Sequence, residues 1–208
     1  MTRVEDLLVV AGVIGGLLSL ADPVPYVRDV LRRRTSPHRG TWLIWSVLAC
    51  VALASQWAQN GGWSLLMLSL QAASTTLILL LSVRHGVGGA SAVEIGLLVI
   101  AGAGVAGWML SSEPVVATAC VMVADLVGAA MMVPKTWHDP WSETLSTFWL
   151  AAAAAAMGAL AVGALDPSLL LYPVYLVVID GGTASLILVR RKALTARSAT
   201  SGPVPEQA

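Results

Sequence analysis

The sequence contains little charge. Only 12% of its 208 residues are Asp, Glu, Lys or Arg, whereas about 25% is usual in a soluble domain. Hydrophobic residues make up 57% of the chain, and its mean hydropathy is +0.78. Several apolar stretches approach or exceed the roughly 17 to 25 residues that a membrane-spanning helix needs. The composition therefore predicts an all-α membrane protein and argues against a soluble globular domain.

Cysteine and histidine are scarce as well. Cys50 and Cys120 lie in separate apolar runs, which argues against a disulfide framework or a zinc site. His38, His85 and His138 fall between apolar runs and form no paired metal-binding motif. The sequence has no GxSxG nucleophile motif and no lysine inside an apolar run that could carry a Schiff base. We therefore expect no enzymatic activity, no metal and no cofactor.

Apolar runs divide the chain into seven segments. Because only closed backbone hydrogen bonding is stable in lipid, each run is predicted to be a transmembrane helix. The predicted spans are approximately Leu7–Val24, Thr41–Gln56, Trp63–Val83, Val93–Leu110, Val115–Val133, Leu145–Leu165 and Leu169–Val189.

Lysine and arginine are distributed unequally between the two sides of these spans. The positive residues after spans one, three, five and seven are Arg28, Arg32, Arg33, Arg34, Arg39, Arg84, Lys135, Arg190, Arg191, Lys192 and Arg197. Only Arg3 falls on the other side. Positive residues accumulate in cytoplasmic loops, so we expect a multi-pass protein of the cytoplasmic membrane with its N-terminus outside and its C-terminus in the cytoplasm.

Two proline-led segments indicate an internal repeat. Residues 25–45 and 134–149 each begin with a proline, pass through a short charged stretch and re-enter an apolar run at a tryptophan. Pro25 and Pro134 are 109 residues apart (134 − 25 = 109). The sequence predicts two parallel three-helix repeats joined by an inverting fourth helix, a 3+1+3 arrangement. The repeats are residues 5–83 and 115–192, the linker helix is 93–110, and 193–208 is expected to be a disordered cytoplasmic tail.

Polar residues inside the spans are the candidate site. A carboxylate near the bilayer centre costs about 2.5–3.5 kcal/mol on insertion scales and needs a compensating role. Asp125 lies midway along span five, and Asp180 lies in span seven at the position equivalent to Gln71 in span three. Gln71 and Asp180 are predicted to bind substrate, and Asp180 and Asp125 are candidates for proton coupling. The alternative for Asp180 is a structural hydrogen bond to a Ser or Thr hydroxyl. Trp57 is a candidate to stack on the substrate.

Other residues carry weaker expectations. Pro25 and Pro134 are predicted either to act as hinges or simply to end their helices. Lys135 and Glu143 could form a salt bridge or lie in a solvated loop, and Asp22 is expected near water at the end of span one. Trp42 fits an interfacial position. The arginines at 32–34 are expected to set topology and to contact lipid phosphates.

The proline-led motifs resemble those of the PQ-loop/SWEET-like transporter superfamily. The first reads P-x-x-R-D-x-L at Pro25, Arg28, Asp29 and Leu31, and the second reads P-x-x-x-x-x-P-x-x-E at Pro134, Pro140 and Glu143. The Pro-Gln dipeptide of the superfamily is absent, because Tyr26 and Lys135 follow the two prolines. Sugar-transporting members carry asparagines where this chain has Gln71 and Asp180.

The resemblance implies a transporter of a small solute, sugar-like or amino-acid-like, that works by alternating access and is open to proton coupling. The alternative is a membrane receptor or interaction protein on the same fold. The expected partners are the lipid bilayer and a small-molecule substrate, with no nucleic acid, and a homo-oligomer remains open.

Overall fold

The computed structural model describes residues 3–58, 64–89, 91–111, 114–163, 165 and 167–200. Within these ranges the chain is helical and has no β-strand, apart from an isolated bridge between His38 and Val87. The helices are α1 (Arg3–Ala21), α2 (Pro23–Leu31), α3 (Arg39–Ala58), α4 (Ser64–His85), α5 (Ala92–Leu110), α6 (Pro114–His138), α7 (Leu145–Ala161) and α8 (Pro167–Thr200), with a short 3₁₀ turn at Pro140–Ser142.

Several of these helices are suited to a bilayer. Over the described residues, four stretches are long and apolar enough to cross a membrane: Glu5–Leu31, Ala92–Leu110, Thr118–His138 and Leu170–Ser198. Arg39–Leu53 and Leu145–Ala161 are apolar but shorter. Large hydrophobic side chains cover much of the outer surface, such as Val93 at 73% exposure and Val83 at 66%. Such a surface suits lipid rather than water, so the structure is consistent with a multi-pass membrane protein.

The first span extends beyond its predicted end at Val24. α1 ends at Ala21 and α2 runs from Pro23 to Leu31. Asp22 between them keeps helical backbone angles (φ −60°, ψ −39°), and its N–H donates to the Leu18 carbonyl at 2.9 Å. Pro23 and Pro25 lack the N–H groups that would continue the hydrogen-bond pattern of α1, whereas a proline fits the first turn of a new helix. Pro25 therefore lies inside α2 and does not end a helix.

Two predicted ends are wrong at the charged side of the molecule. α6 continues through Pro134 to His138, although the sequence predicts its end at Val133. α8 continues to Thr200, so residues 193–200 are helical and not part of a disordered tail. Residues 201–208 lie outside the described residues.

Helix packing alternates between neighbours in sequence and distant partners. α3 packs on α4, α5 on α6 and α7 on α8, while α1 packs on α7 and α3 on α6. Small residues permit the close approaches. A Cβ on Gly15 of α1 would lie 3.2 Å from Ala154 O of α7, and one on Gly104 of α5 would lie 2.9 Å from Cys120 O of α6.

The loops that follow α2 and α6 meet at one end of the bundle, which we call the charged end. It comprises residues 32–38, residues 139–144 and the adjoining half of α8. The loop between α4 and α5 also folds onto this end, with Gly88 at φ +72°. A Cβ at Gly88 would lie 2.2 Å from His38 Nε2, so both the backbone conformation and the space require glycine.

Candidate functional site

A cavity of about 660 Å³ lies between the helices. Its lining comes from α1, from the start of α2 at Pro23, and from α3 to α8. The lining residues with polar or aromatic side chains are Ser19, Asp22, Trp42, Trp45, Gln71, Ser74, Thr75, Trp108, Thr118, Asp125, Thr147, Phe148, Tyr172 and Asp180. Small residues of α7, including Ala151, Ala154 and Gly158, leave the space open.

The structure brings together three of the polar residues singled out from the sequence. Gln71, Asp125 and Asp180 all line this cavity. Asp22 lines it too, because the helical run continues past this residue to Leu31, so the carboxylate does not lie at a solvated helix end. The side chain of Trp57 lies outside the described residues. Neither proline of the predicted hinge pair lines the cavity, although Pro25 follows Asp22 by one turn of α2.

The three carboxylates have different surroundings. The Tyr175 hydroxyl donates a hydrogen bond of 2.8 Å to Asp125 Oδ2. In the part of the chain that the structure describes, the side chains of Asp22 and Asp180 have no hydrogen-bond partner, and no Lys, Arg or His lines the cavity. The cavity therefore combines buried negative groups with no positive group to balance them, a costly arrangement unless a proton or a ligand compensates it.

Aromatic side chains form much of the remaining wall. Trp42 and Trp45 meet edge to face with their ring centroids 5.1 Å apart. Trp42 is only 6% exposed, so the predicted interfacial position is wrong. Its Nε1 donates a hydrogen bond of 3.1 Å to the Tyr26 hydroxyl. Trp45 Nε1 is buried without a partner among the described residues, which leaves one unused donor in the aromatic wall.

A layer of buried side chains separates the cavity from the charged end. Trp42, Ile78 and Phe148 of this layer face the cavity. The whole layer consists of Tyr26, Val30, Trp42, Ile78, Met132, Phe148, Ala184 and Ile187. Its members come from α2, α3, α4, α6, α7 and α8, so the cavity is closed toward the charged end by helices from both halves of the chain.

A buried polar network lies directly beyond this layer. The Tyr26 hydroxyl donates a hydrogen bond of 3.0 Å to Glu143 Oε2, and Lys135 forms an ion pair with Glu143. Lys135 Nζ also donates to the carbonyl of Ser36, which ties the loop after α2 to the loop after α6. Arg191 of α8 donates to the Glu143 carbonyl at 2.7 Å. The pair is therefore structural and buried rather than part of a solvated loop.

Burial governs the ionisation of Glu143. Its side chain is fully buried in the ion pair, whereas that of Lys135 is 14% exposed. Burial raises the pKa of Glu143 above 4.5, and the charge of Lys135 with the hydrogen bonds from Lys135 and Tyr26 opposes that rise. The network thus holds a carboxylate in an environment that disfavours its charge, and its stability depends on the partners staying in place.

Two threonines from the two proline-led segments meet at the charged end. Thr35 and Thr144 share a hydrogen bond of 2.8 Å between their hydroxyl oxygens, and they are separated by 109 residues. The Thr144 hydroxyl also lies 3.0 Å from Asp29 Oδ2, to which it donates. The contact joins the two proline-led segments at matching points.

His38 fixes the loop between α4 and α5. His38 Nδ1 accepts a hydrogen bond of 3.3 Å from the Thr41 backbone N–H, so Nε2 carries the proton and donates to Glu94 Oε1 at 2.8 Å. Glu94 also accepts from the Gly89 N–H at 2.8 Å. Burial lowers the pKa of His38 below 6.5, although Glu94 opposes the change. A neutral imidazole therefore anchors the start of α5 to the charged end.

Sequence reasoning missed several residues of the site. Tyr175, Tyr26 and Trp42 act through hydrogen bonds with partners 16 to 117 residues away. A tyrosine or tryptophan inside an apolar run carries a hydroxyl or N–H group that needs a hydrogen-bond partner. This is the sequence feature that could have identified these residues. In the described residues no group of three or more His, Cys, Asp or Glu is placed to hold a metal ion.

Comparison with protein-family models, with curated proteins and with solved structures finds no match to this chain.

Proposed function

We propose that this chain is an integral membrane transporter of a small polar solute and works by alternating access. The observation that carries the proposal is the cavity of about 660 Å³, which holds unbalanced carboxylates inside a bundle of apolar helices. A protein that only anchors or scaffolds gains nothing from such groups, whereas a solute site requires them.

The proposed architecture is the 3+1+3 repeat, with α5 as the linker helix. In both halves the third span packs against the second, α4 on α3 and α8 on α7. The first span of each half packs on the second span of the other, α1 on α7 and α6 on α3. Two equivalent halves related by a pseudo-twofold axis produce this pattern.

Equivalent positions also have equivalent surroundings, which supports the repeat. Ile78 and Ile187 are both buried in the layer that closes the cavity, and Gln71 and Asp180 both line the cavity. Each pair has the separation of the Thr35–Thr144 hydrogen bond, which is 109 residues. The matched pairs run along α4 and α8 in the same order. These features and the two proline-led motifs support membership of the PQ-loop/SWEET-like superfamily.

The proposed conformation is closed at the cytoplasmic side. The positive-inside distribution assigns the charged end to the cytoplasm, so the cavity faces the outside. The Tyr26–Glu143–Lys135 network and the apolar layer above it would then form the closed gate. Pro25 and Pro134 lie on the two helices that enter this gate, where a missing backbone hydrogen bond permits bending.

The lining favours solutes of a particular charge. A wall whose described residues include Asp22, Asp125 and Asp180 but no basic side chain repels anions and attracts cations or neutral donors of hydrogen bonds. Gln71 and the tryptophans add hydrogen-bonding and stacking surface. We propose a neutral or positively charged solute, such as a sugar-like or amino-acid-like molecule, with Asp180 as the group that also takes up a proton.

Uptake of labelled solutes into proteoliposomes tests this function. Pools of sugars, of amino acids and of organic acids would be offered separately, and the anionic pool is expected to be excluded. Ala151→Phe fills part of the cavity and should abolish uptake. Leu160→Phe on the same helix, at a side chain 60% exposed on the outer surface, should leave uptake unchanged. Absence of uptake from every pool by the unmodified protein would contradict the proposal.

A further inference from the structure

A groove of about 530 Å³ lies on the outer surface between α2 and α4, next to the cavity, with which it shares only Pro23 and Ser74 among the described lining residues. Its apolar lining includes Val24, Val27, Leu31 and Leu77, and Arg28 and Arg32 complete it toward the charged end. Val24 and Leu31 are 62% and 60% exposed. The groove therefore presents an apolar channel with two guanidinium groups at one end.

Neither arginine has a protein partner among the described residues. Among the described residues no hydrogen bond or ion pair involves the side chain of Arg28 or Arg32. The neighbouring carboxylate of Asp29 turns inward and accepts from the Thr144 hydroxyl at 3.0 Å, so it does not neutralise them. Arg28 and Arg32 are four residues apart and share a face of the chain at the end of α2, where their groups can converge on one anion.

The dimensions match one leaflet of a bilayer. α2 has nine residues, and its rise of about 1.5 Å per residue makes it about 13 Å long. Half of the hydrocarbon core is about 15 Å thick. An acyl chain that follows the groove from Pro23 toward Leu31 would bring the lipid phosphate to the level of Arg28 and Arg32, where the core meets the headgroups.

We propose that this groove is a binding site for an anionic phospholipid of the leaflet at the charged end. One acyl chain lies along α2 and α4, and the phosphate is held by Arg28 and Arg32. The two positive arginines favour a lipid with a net negative headgroup. A zwitterionic headgroup also carries a positive group, which the arginines repel. The site is independent of whether the central cavity transports a solute.

Lipid titration of the delipidated protein in an uncharged detergent, followed by native mass spectrometry, tests the site. The probes are phosphatidylglycerol, phosphatidylcholine with the same acyl chains, and inorganic phosphate. Phosphatidylglycerol should bind at least tenfold more tightly than phosphatidylcholine. Arg28→Gln with Arg32→Gln should weaken its binding about thirtyfold, equivalent to about 1 kcal/mol for each direct charge-assisted contact with the phosphate that is lost. Both side chains are exposed and unpartnered, so folding should be unaffected.

Two matched variants make the test specific. Arg33→Gln with Arg34→Gln removes the same charge from the same cluster without touching the groove and should change affinity less than threefold. Leu77→Trp fills the apolar part of the groove and should weaken phosphatidylglycerol binding while every charge remains. The proposal would be overturned if the two lipids bound equally well, or if the two double variants lost affinity equally. It would also be overturned if Leu77→Trp had no effect, or if inorganic phosphate competed at the concentrations used for the lipids.

Discussion

Replacement of Lys135 by Met should destabilise the charged end strongly. Lys135 pairs with a carboxylate whose side chain is fully buried, and it also bonds the carbonyls of Ser36 and Ser142. Removal of one partner of a buried ion pair costs about 3–5 kcal/mol because the other charge stays buried and unpaired. The 14% exposure of the lysine side chain admits some water, so we expect a loss near the lower bound, about 3 kcal/mol.

A double-mutant cycle with Glu143→Gln isolates the pair. Glutamine has a similar volume and still accepts from Tyr26, so the Lys135→Met, Glu143→Gln protein should recover about 2 kcal/mol relative to Lys135→Met alone. Unfolding free energies would come from denaturant titration in mixed micelles, followed by far-UV circular dichroism. Arg84→Met removes an exposed cation and should change stability by less than about 0.5 kcal/mol. Additive effects of Lys135→Met and Glu143→Gln within about 0.5 kcal/mol would refute the buried-pair reasoning.

Three further predictions concern the same end of the molecule. Tyr26→Phe leaves the indole N–H of Trp42 without its acceptor and removes a hydrogen bond to the buried Glu143 carboxylate, so it should cost about 2–4 kcal/mol by the same titration. A loss below about 1 kcal/mol would contradict the burial of these two hydrogen bonds. Because burial lowers the pKa of His38, its contribution to stability should be complete above pH 6.5. Below pH 6.5 the free energy of unfolding should fall by up to about 1.4 kcal/mol per pH unit until the folded-state pKa is passed. His38→Gln should remove this pH dependence, and an unchanged dependence would show that another group causes it. Gly88→Ala should cost about 2 kcal/mol or more, since it adds a Cβ at positive φ against His38 and Glu94. Gly96→Ala is the control and should not destabilise the protein, because a Cβ at that position meets nothing within 4 Å.

Composition and periodicity suffice to predict the helices but not where each one ends. Apolar runs identify the helices because lipid leaves the backbone few alternatives. The ends differ because the helices continue through prolines that the sequence suggests as boundaries. The first span continues through Pro23 and Pro25 to Leu31, and α6 continues through Pro134 to His138. At the end of α8 the chain stays helical through polar residues whose hydroxyls bond the preceding turn, such as Thr195 to the Arg191 carbonyl.

The site is predictable only where a single residue is out of place in its surroundings. Asp125 and Asp180 are conspicuous as carboxylates in apolar runs, and Gln71 follows from the repeat offset; all three line the cavity. Tyr26 and Trp42 are not conspicuous, because aromatic residues are also common at membrane interfaces. Their roles depend on Glu143, which is 117 residues from Tyr26, and no local pattern encodes a contact at that distance.

The central claim is that the cavity carboxylates belong to a solute pathway, and substrate-triggered proton movement tests it most directly. Proteoliposomes loaded with a pH-sensitive dye would receive each solute pool under an imposed pH gradient. Asp180→Asn would be run in parallel, with Asp6→Asn as an exposed carboxylate control outside the cavity lining. We predict a proton signal with one neutral or cationic pool, lost in Asp180→Asn and kept in Asp6→Asn. A signal that Asp180→Asn retains at every pH would contradict the role of Asp180, and the absence of both proton movement and labelled uptake would contradict transport itself.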